Sequence, residues 1–157
     1  MAASFPQGSA HTITITAAQP LDTVLSVETL NMATRIKNPL NIGLMVPINN
    51  TTMECELLEW LPVGSICTTA RIPRGKGLLT PETMPAYKAQ ALTLAVTFAD
   101  RDIDVVVYGC TAAGFIAGPA GEAELAAELS QVTGKSVVTT AISMVLTLQE
   151  ARAKDIA

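Results

Sequence analysis

Cys110 stands where a thiol can do chemistry. It ends the run "VVVYGC" and opens "CTAAGF". Three β-branched residues lead into a Gly-Cys pair and then into small residues, so the thiol lies where an apolar strand stops and the chain turns. Near a helix start or a nest of freed backbone N–H groups, a thiol is drawn toward the thiolate, a nucleophile or base at neutral pH. The same N–H groups can hold a carboxylate or an enolate. Spacing alone also fits, and favours, a small buried hydrophobe at a strand end. A second apolar run ends in "VPINNTT", which offers Asn49 and Asn50. Their side-chain amides can donate to a carboxylate.

The remaining reactive types read less sharply. Cys55 and Cys67 fall inside a predicted helix and a predicted strand and read as core residues. His11 is the single histidine and lies in a polar leader, where a Cys-His or Ser-His pair is not expected. Tyr108 precedes the thiol and can face either layer. Arg71 and Arg74 read as solvated charges, with attraction of an acidic substrate as the alternative. Thr139 and Thr140 close a later strand, first as a helix cap and second as a substrate contact. "GKG" at 75–77 lacks the Gly-Lys-Ser/Thr ending of a phosphate loop.

The elements that must position these residues follow from periodicity. "LNIGLMV" is a short buried strand ending at Pro47. "NTTMECELLEWL" predicts a helix capped by Asn50 or Thr51, with Glu54 completing a capping box with Thr51. "SICTTARI" is a second strand. Thr80 caps a helix opened by Pro81, and Met84, Tyr87, Ala91, Leu94, Ala95 and Phe98 form its buried stripe. "IDVVVYG" is a third strand, apolar on both faces as a central parallel strand is. "GEAELAAELSQVTG" is a helix with Gly134 as its C-cap. "SVVTT" and "AISMVLTLQEARA" are a fourth strand and helix, and "KDIA" has the look of a strand beginning. Strand–helix alternation with short connections predicts an α/β fold: a four-stranded parallel sheet with helices on both faces. In such a sheet the loops holding Asn50 and Cys110 share the carboxyl edge, where ligands bind.

Composition narrows the classes. The 157 residues are 49% hydrophobic and 15% charged, which suits one folded domain. A net charge of −4 without a basic block makes nucleic acid a poor partner. The uncharged stretch 105–121 is interrupted by Gly109, Gly114, Gly118 and Pro119 and reads as strand, turn and loop. No membrane span is expected. No Lys or Arg precedes Arg35, which argues against a secretory signal. Three cysteines without CxxC spacing predict free thiols in a reducing cytoplasm and no metal cage. Residues 1–38 differ from the rest. They read as a leader, either the product of a start that belongs at Met32 or a dimer arm. "HTITIT" within it alternates like a short strand, and "LDTVLSVETLNMATRIKNP" could form a loose helix.

"IGLMVPINNTTMECE", "LTPETM", "VVVYGCTAAGFIAGPAGE" and "VVTTAISMVLTLQEARAKDIA" together resemble the aspartate/glutamate racemase superfamily, in the branch of maleate cis–trans isomerase and arylmalonate decarboxylase. The resemblance implies that residues 39–157 are the N-terminal half of a two-domain, cofactor-independent enzyme. Its substrate would be a small dicarboxylic acid. Cys110 matches the first-half catalytic cysteine, which in the isomerases attacks the double bond of maleate and in the racemases removes an α-proton. Arylmalonate decarboxylases carry Gly at this position, so Cys110 speaks against strict decarboxylase chemistry. Asn50 matches a substrate-binding asparagine, and Thr111 a residue that holds a carboxylate. Asn49 departs from the small Ser usual there. The candidate binding set is then Pro47, Asn49, Asn50, Thr111, Ala112 and Thr140. A second cysteine, a tyrosine and a second asparagine would come from a second half. That half would be further chain, a separate polypeptide or another copy, so a homo-oligomer is an expectation.

Overall fold

A computed structural model of the chain describes residues 2–4, 14–16, 38–75 and 77–153. The helix expected from residue 21 lies almost wholly outside them, as do His11, Met32, Lys76 and the strand start expected at 154–157. The alternating "HTITIT" segment does hold a strand. β2 (Thr14–Thr16) pairs antiparallel with β1 (Ala2–Ser4), a partner that the sequence did not disclose.

The main sheet is built from β3 (Asn41–Pro47), β4 (Ile66–Ile72), β5 (Val105–Tyr108) and β6 (Ser136–Thr139), all parallel, in the order β4-β3-β5-β6. This is the expected four-stranded parallel α/β sheet. Strand β3 is central and apolar on both faces. Ile42, Leu44 and Val46 point into one layer, and Met45 into the other. All four are 3% exposed or less, and burying a side chain of this size stabilises by about 1.5–3 kcal/mol. Strand β5 behaves likewise, with Val106 and Tyr108 in the Met45 layer and Val105 and Val107 against the other.

Helices cover both faces. Helix α1 (Met53–Trp60) lies over Ile42, Leu44 and Val46 through half-buried Met53 and Leu57. None of its own residues is fully buried, and Cys55 is exposed, not a core residue as expected. Helix α2 (Met84–Ala95) and the 3₁₀ turn Val96–Phe98 present the predicted stripe to the Met45 layer, with Met84, Tyr87, Ala91, Ala95 and Phe98 buried and Leu94 half-buried. Residues 80–83 form a turn ahead of α2, not its first turn. The Thr80 carbonyl still accepts the N–H of Met84 at 3.0 Å, so Thr80 takes a cap's place through its backbone.

Helix α3 (Thr111–Thr133) corrects the reading of 105–121 as strand, turn and loop. The chain enters the helix directly after Cys110. Gly114, Gly118 and Pro119 had suggested a loop, and one of them does break the helix. Gly118 sits at φ 69° and ψ 175°, a region that only glycine occupies without strain, and Pro119 follows it. The second part buries Glu122, Leu125, Ala126 and Leu129 and ends at the predicted C-cap, Gly134. Lys88 of α2 reaches Glu128 of α3 at 3.0 Å and Glu124 at 3.4 Å, partly exposed pairs that orient more than they stabilise. Helix α4 (Thr140–Glu150) closes the described fold. No helix among the described residues is long and apolar enough to cross a membrane.

Two buried polar groups differ in how well they are met. Thr139 Oγ1 donates to the buried carboxyl of Glu122 at 2.6 Å and accepts the Ile142 N–H at 3.2 Å as the cap of α4. The Tyr108 hydroxyl is fully buried without a partner among the described residues. Removing half of a satisfied pair strands the other half, whereas removing an unmet hydroxyl removes only its desolvation cost. Thr139→Val should therefore lower stability by about 2 kcal/mol, through the lost cap and the stranded Glu122. Tyr108→Phe should leave it unchanged or raise it by about 1 kcal/mol. Urea midpoints at constant slope check both, and a loss in Tyr108→Phe would contradict the unmet hydroxyl.

Candidate functional site

Sheet order places the site. The chain leaves β3 toward β4 on one side, then crosses back to β5 and β6 on the other. The direction of winding reverses between β3 and β5, and a crevice opens at the carboxyl ends of these neighbours. The loop after β3 and the start of α3 after β5 flank it, and a cleft of about 550 Å³ lies there. Pro47, Asn49, Asn50, Cys110, Thr111 and Ala112 all line this cleft. Thr140 does not. It sits at the start of α4 and accepts a hydrogen bond from Thr111 Oγ1 at 3.1 Å, so it touches the site through Thr111.

Gly109 lets the two loops come this close. Its N–H donates to the Met45 carbonyl at 2.7 Å, extending the β5–β3 pairing by one residue. A Cβ on Gly109 would collide with Met53 Sδ and meet Val46 Cγ1 at 2.9 Å. The residue before the thiol therefore has room only for hydrogen. Cys110 follows as the residue that caps α3, 7% exposed. Its carbonyl accepts the Gly114 N–H, and the N–H groups of residues 111–113 precede the first intrahelical bond. Those N–H groups and the positive end of the helix favour an anion beside the thiol.

Asn50 is fixed from three directions. Its Oδ1 accepts the N–H groups of Thr52 at 3.2 Å and Met53 at 3.1 Å, so Asn50 serves as the side-chain cap of α1. This leaves its amide NH₂ as the group able to donate to a ligand. Arg71 Nη1 donates to the Asn50 carbonyl, and Arg71 Nη2 pairs with Glu54 at 3.1 Å. Glu54 is thus spent on Arg71 and does not form the expected capping box with Thr51. Arg71 is correspondingly a brace on the Asn50 loop and not the free solvated charge that its sequence context suggested.

Two further polar residues line the cleft: Arg74, for which attraction of an acidic substrate was the second reading, and Tyr87, which the sequence did not single out as a site residue. Arg74 is half-buried and lines the cleft, with Nη2 donating to the Gly77 carbonyl at 3.0 Å. Tyr87 also lines it, is 4% exposed, and its hydroxyl has no nitrogen or oxygen partner among the described residues, its polar neighbour being the weakly bonding Cys110 thiol. Burial and the neighbouring Cys110 thiol push that hydroxyl far up, Tyr108 adds to this, and Arg74 pulls it down. Tyr87 was visible only as one member of an apolar stripe. The available signal was a polar tip on a stripe that is otherwise hydrocarbon. Among the described residues no group of three or more His, Cys, Asp or Glu could hold a metal ion.

No protein-family model matches the chain, and no curated protein matches it. Solved structures do. The maleate isomerase Iso from Pseudomonas putida S16 is 22% identical, over 71% of this chain and 49% of that one, with a TM-score of 0.59. A cysteine-to-serine mutant of Nocardia farcinica maleate cis–trans isomerase, carrying a covalently bound succinylcysteine intermediate, is 26% identical over 71% and 49%, with a TM-score of 0.57. A liganded arylmalonate decarboxylase, with one glycine changed to cysteine and one cysteine to serine, is 23% identical over 71% and 46%, with a TM-score of 0.55. The chain spans about half the length of these structures.

The Cys67 thiol should respond to pH differently in the folded and unfolded chain. Burial raises the Cys67 thiol, a hydrogen bond with Thr69 opposes this, and Glu54 adds to the rise. A raised pKa means less thiolate at neutral pH and slower alkylation. The midpoint of the rate–pH profile of Cys67, followed by peptide mass spectrometry with iodoacetamide, should lie above that of the same cysteine in the urea-unfolded chain. Coincident midpoints would contradict its folded environment.

Proposed function

We propose that this chain, which has the fold of the aspartate/glutamate racemase superfamily, is the thiol-bearing half of a cofactor-independent isomerase. Its substrate would be a small dicarboxylate, and maleate cis–trans isomerisation is the reading that the site supports best. The observation that carries it is the meeting of Cys110, at the start of α3, with the braced Asn50 loop in one cleft.

The chemistry needs no cofactor. The Cys110 thiolate adds to one alkene carbon of maleate and a sulfur–carbon bond forms. The π pair moves to the other alkene carbon, where the adjacent carboxylate delocalises it, and a proton from solvent or a facing acid completes a thioether of succinate. The former double bond is now single and rotates. Loss of that proton and cleavage of the sulfur–carbon bond restore the alkene as fumarate and return the thiolate. Nothing is oxidised or reduced. The Asn50 NH₂ and the N–H groups of residues 111–113 hold a carboxylate while charge builds on it, the differential stabilisation that lowers a barrier. The facing acid would belong to a second half, supplied by further chain or by a partner copy. Exposed Trp60, Val63 and Phe115 are apolar surface that such a half or copy could cover.

Maleate incubated with the chain should leave an adduct of one maleate on Cys110, seen by peptide mass spectrometry, and should yield fumarate by NMR. Cys110→Ser should abolish the adduct and lower any turnover by at least about 100-fold, as expected for loss of a covalent nucleophile. If maleate neither modifies Cys110 nor protects it from iodoacetamide, the isomerase reading fails. Protection without adduct or fumarate would instead mark a carboxylate-binding half-domain.

A further inference from the structure

We infer that Arg74 and Tyr87 form a second carboxylate subsite in the cleft, which makes the site selective for dicarboxylates over monocarboxylates. This deepens the proposed function and rests on that reading for the identity of the substrate class.

Three observations carry it. First, Tyr87 lines the cleft, is 96% buried beside the Cys110 thiol, and its hydroxyl has no nitrogen or oxygen partner among the described residues. A buried hydroxyl without a partner costs free energy unless a ligand supplies one. Tyr108, the other such tyrosine, does not line the cleft, so no ligand there can satisfy it. Second, Arg74 borders the same cleft and spends one nitrogen on a neutral carbonyl, that of Gly77. The ion pairs among the described residues engage Arg71 and Lys88, so the charge of Arg74 is not cancelled by a carboxylate there. Third, the other anion-holding groups sit elsewhere on the cleft: the Asn50 amide on the loop after β3, and the N–H groups at the start of α3. Arg74 comes from the loop after β4, and Tyr87 from α2.

A hydroxyl donor and a guanidinium together match one carboxylate, with charge-assisted hydrogen bonds from both. A ligand with two carboxylates can then bridge from the α3 start to Arg74 and Tyr87, past the Cys110 sulfur. A monocarboxylate can satisfy only one end.

Alkylation tests this on the chain itself. Iodoacetate and iodoacetamide react alike, the thiolate sulfur displacing iodide as an S–CH₂ bond forms, but only iodoacetate brings a carboxylate. The quantity read is the ratio of iodoacetate to iodoacetamide rates at Cys110, with exposed Cys55 as internal reference. The wild-type ratio at Cys110 should exceed that at Cys55 by about 5-fold or more, the worth of one charge-assisted hydrogen bond at about 1 kcal/mol or above. Arg74→Gln and Tyr87→Phe should each reduce it by a similar factor. Equal ratios in wild type and both variants would overturn the subsite. If Cys110 alkylates too slowly to measure, titration calorimetry with succinate and butyrate decides. Arg74→Gln should remove the preference for succinate, and an unchanged preference would overturn the inference. The thermal midpoint separates binding from a structural role. Tyr87→Phe should not lower it, because the hydroxyl has no nitrogen or oxygen partner to lose and a thiol is a weak one. A clear drop would count against the subsite. A carboxylate preference that depends on Arg74, found with no maleate adduct, would uphold the subsite while the isomerase reading falls.

Discussion

The pairing of β3 with β5 is the contact on which the site depends. Four registered residues, Ile42 with Val105 through Met45 with Tyr108, bring together segments more than sixty positions apart in sequence. The Gly109 N–H adds one more bond to Met45. Only after that bond do the two chains part, one toward Asn50 and the other into α3. The sheet thus fixes where the Asn50 loop and the Cys110 helix start set out from. The absence of a side chain at Gly109 is part of the same constraint, since Met53 and Val46 occupy the space that a methyl group would need.

Around this pair, polar contacts hold the loops instead of leaving them to solvent. Arg71 ties the Asn50 carbonyl to Glu54 across the top of β4. Asn50 in turn closes the start of α1. On the other flank, Thr111 hydrogen-bonds Thr140, while Thr139 links Glu122 to the first turn of α4. Each is a short bridge between the start of one helix and a neighbouring element. Together they fix the positions of the groups that line the cleft, and on the proposed reading a site gains from such rigidity.

The sheet, its parallel sense and the loops bearing Cys110 and Asn50 were legible because they depend on period and on strand ends. What was not legible depends on partners distant in sequence. Glu54 fits a capping box locally, but Arg71, seventeen residues on, takes it. Cys55 lies in an apolar helix pattern, yet α1 covers the sheet with only part of its surface. The glycines and the proline of 114–119 look like a loop, and they interrupt a helix only at Gly118, because α3 restarts at once and packs Leu125 and Leu129 into the core. Arg74 had attraction of an acidic substrate only as its second reading, and Tyr87 read as part of an apolar stripe, so their convergence in space is what marks them.

The order β4-β3-β5-β6 also puts the cleft at the ends of the two interior strands. Edge strands have one neighbour and open first in local fluctuations, whereas interior strands open only with the whole domain. Fraying of β4 or β6 would leave the ladder between β3 and β5 intact. The backbone amides of Met45 and Gly109 belong, on this account, to the most slowly exchanging hydrogens of the chain. Cys110, which follows Gly109 directly, inherits its persistence from the last part of the fold to come apart.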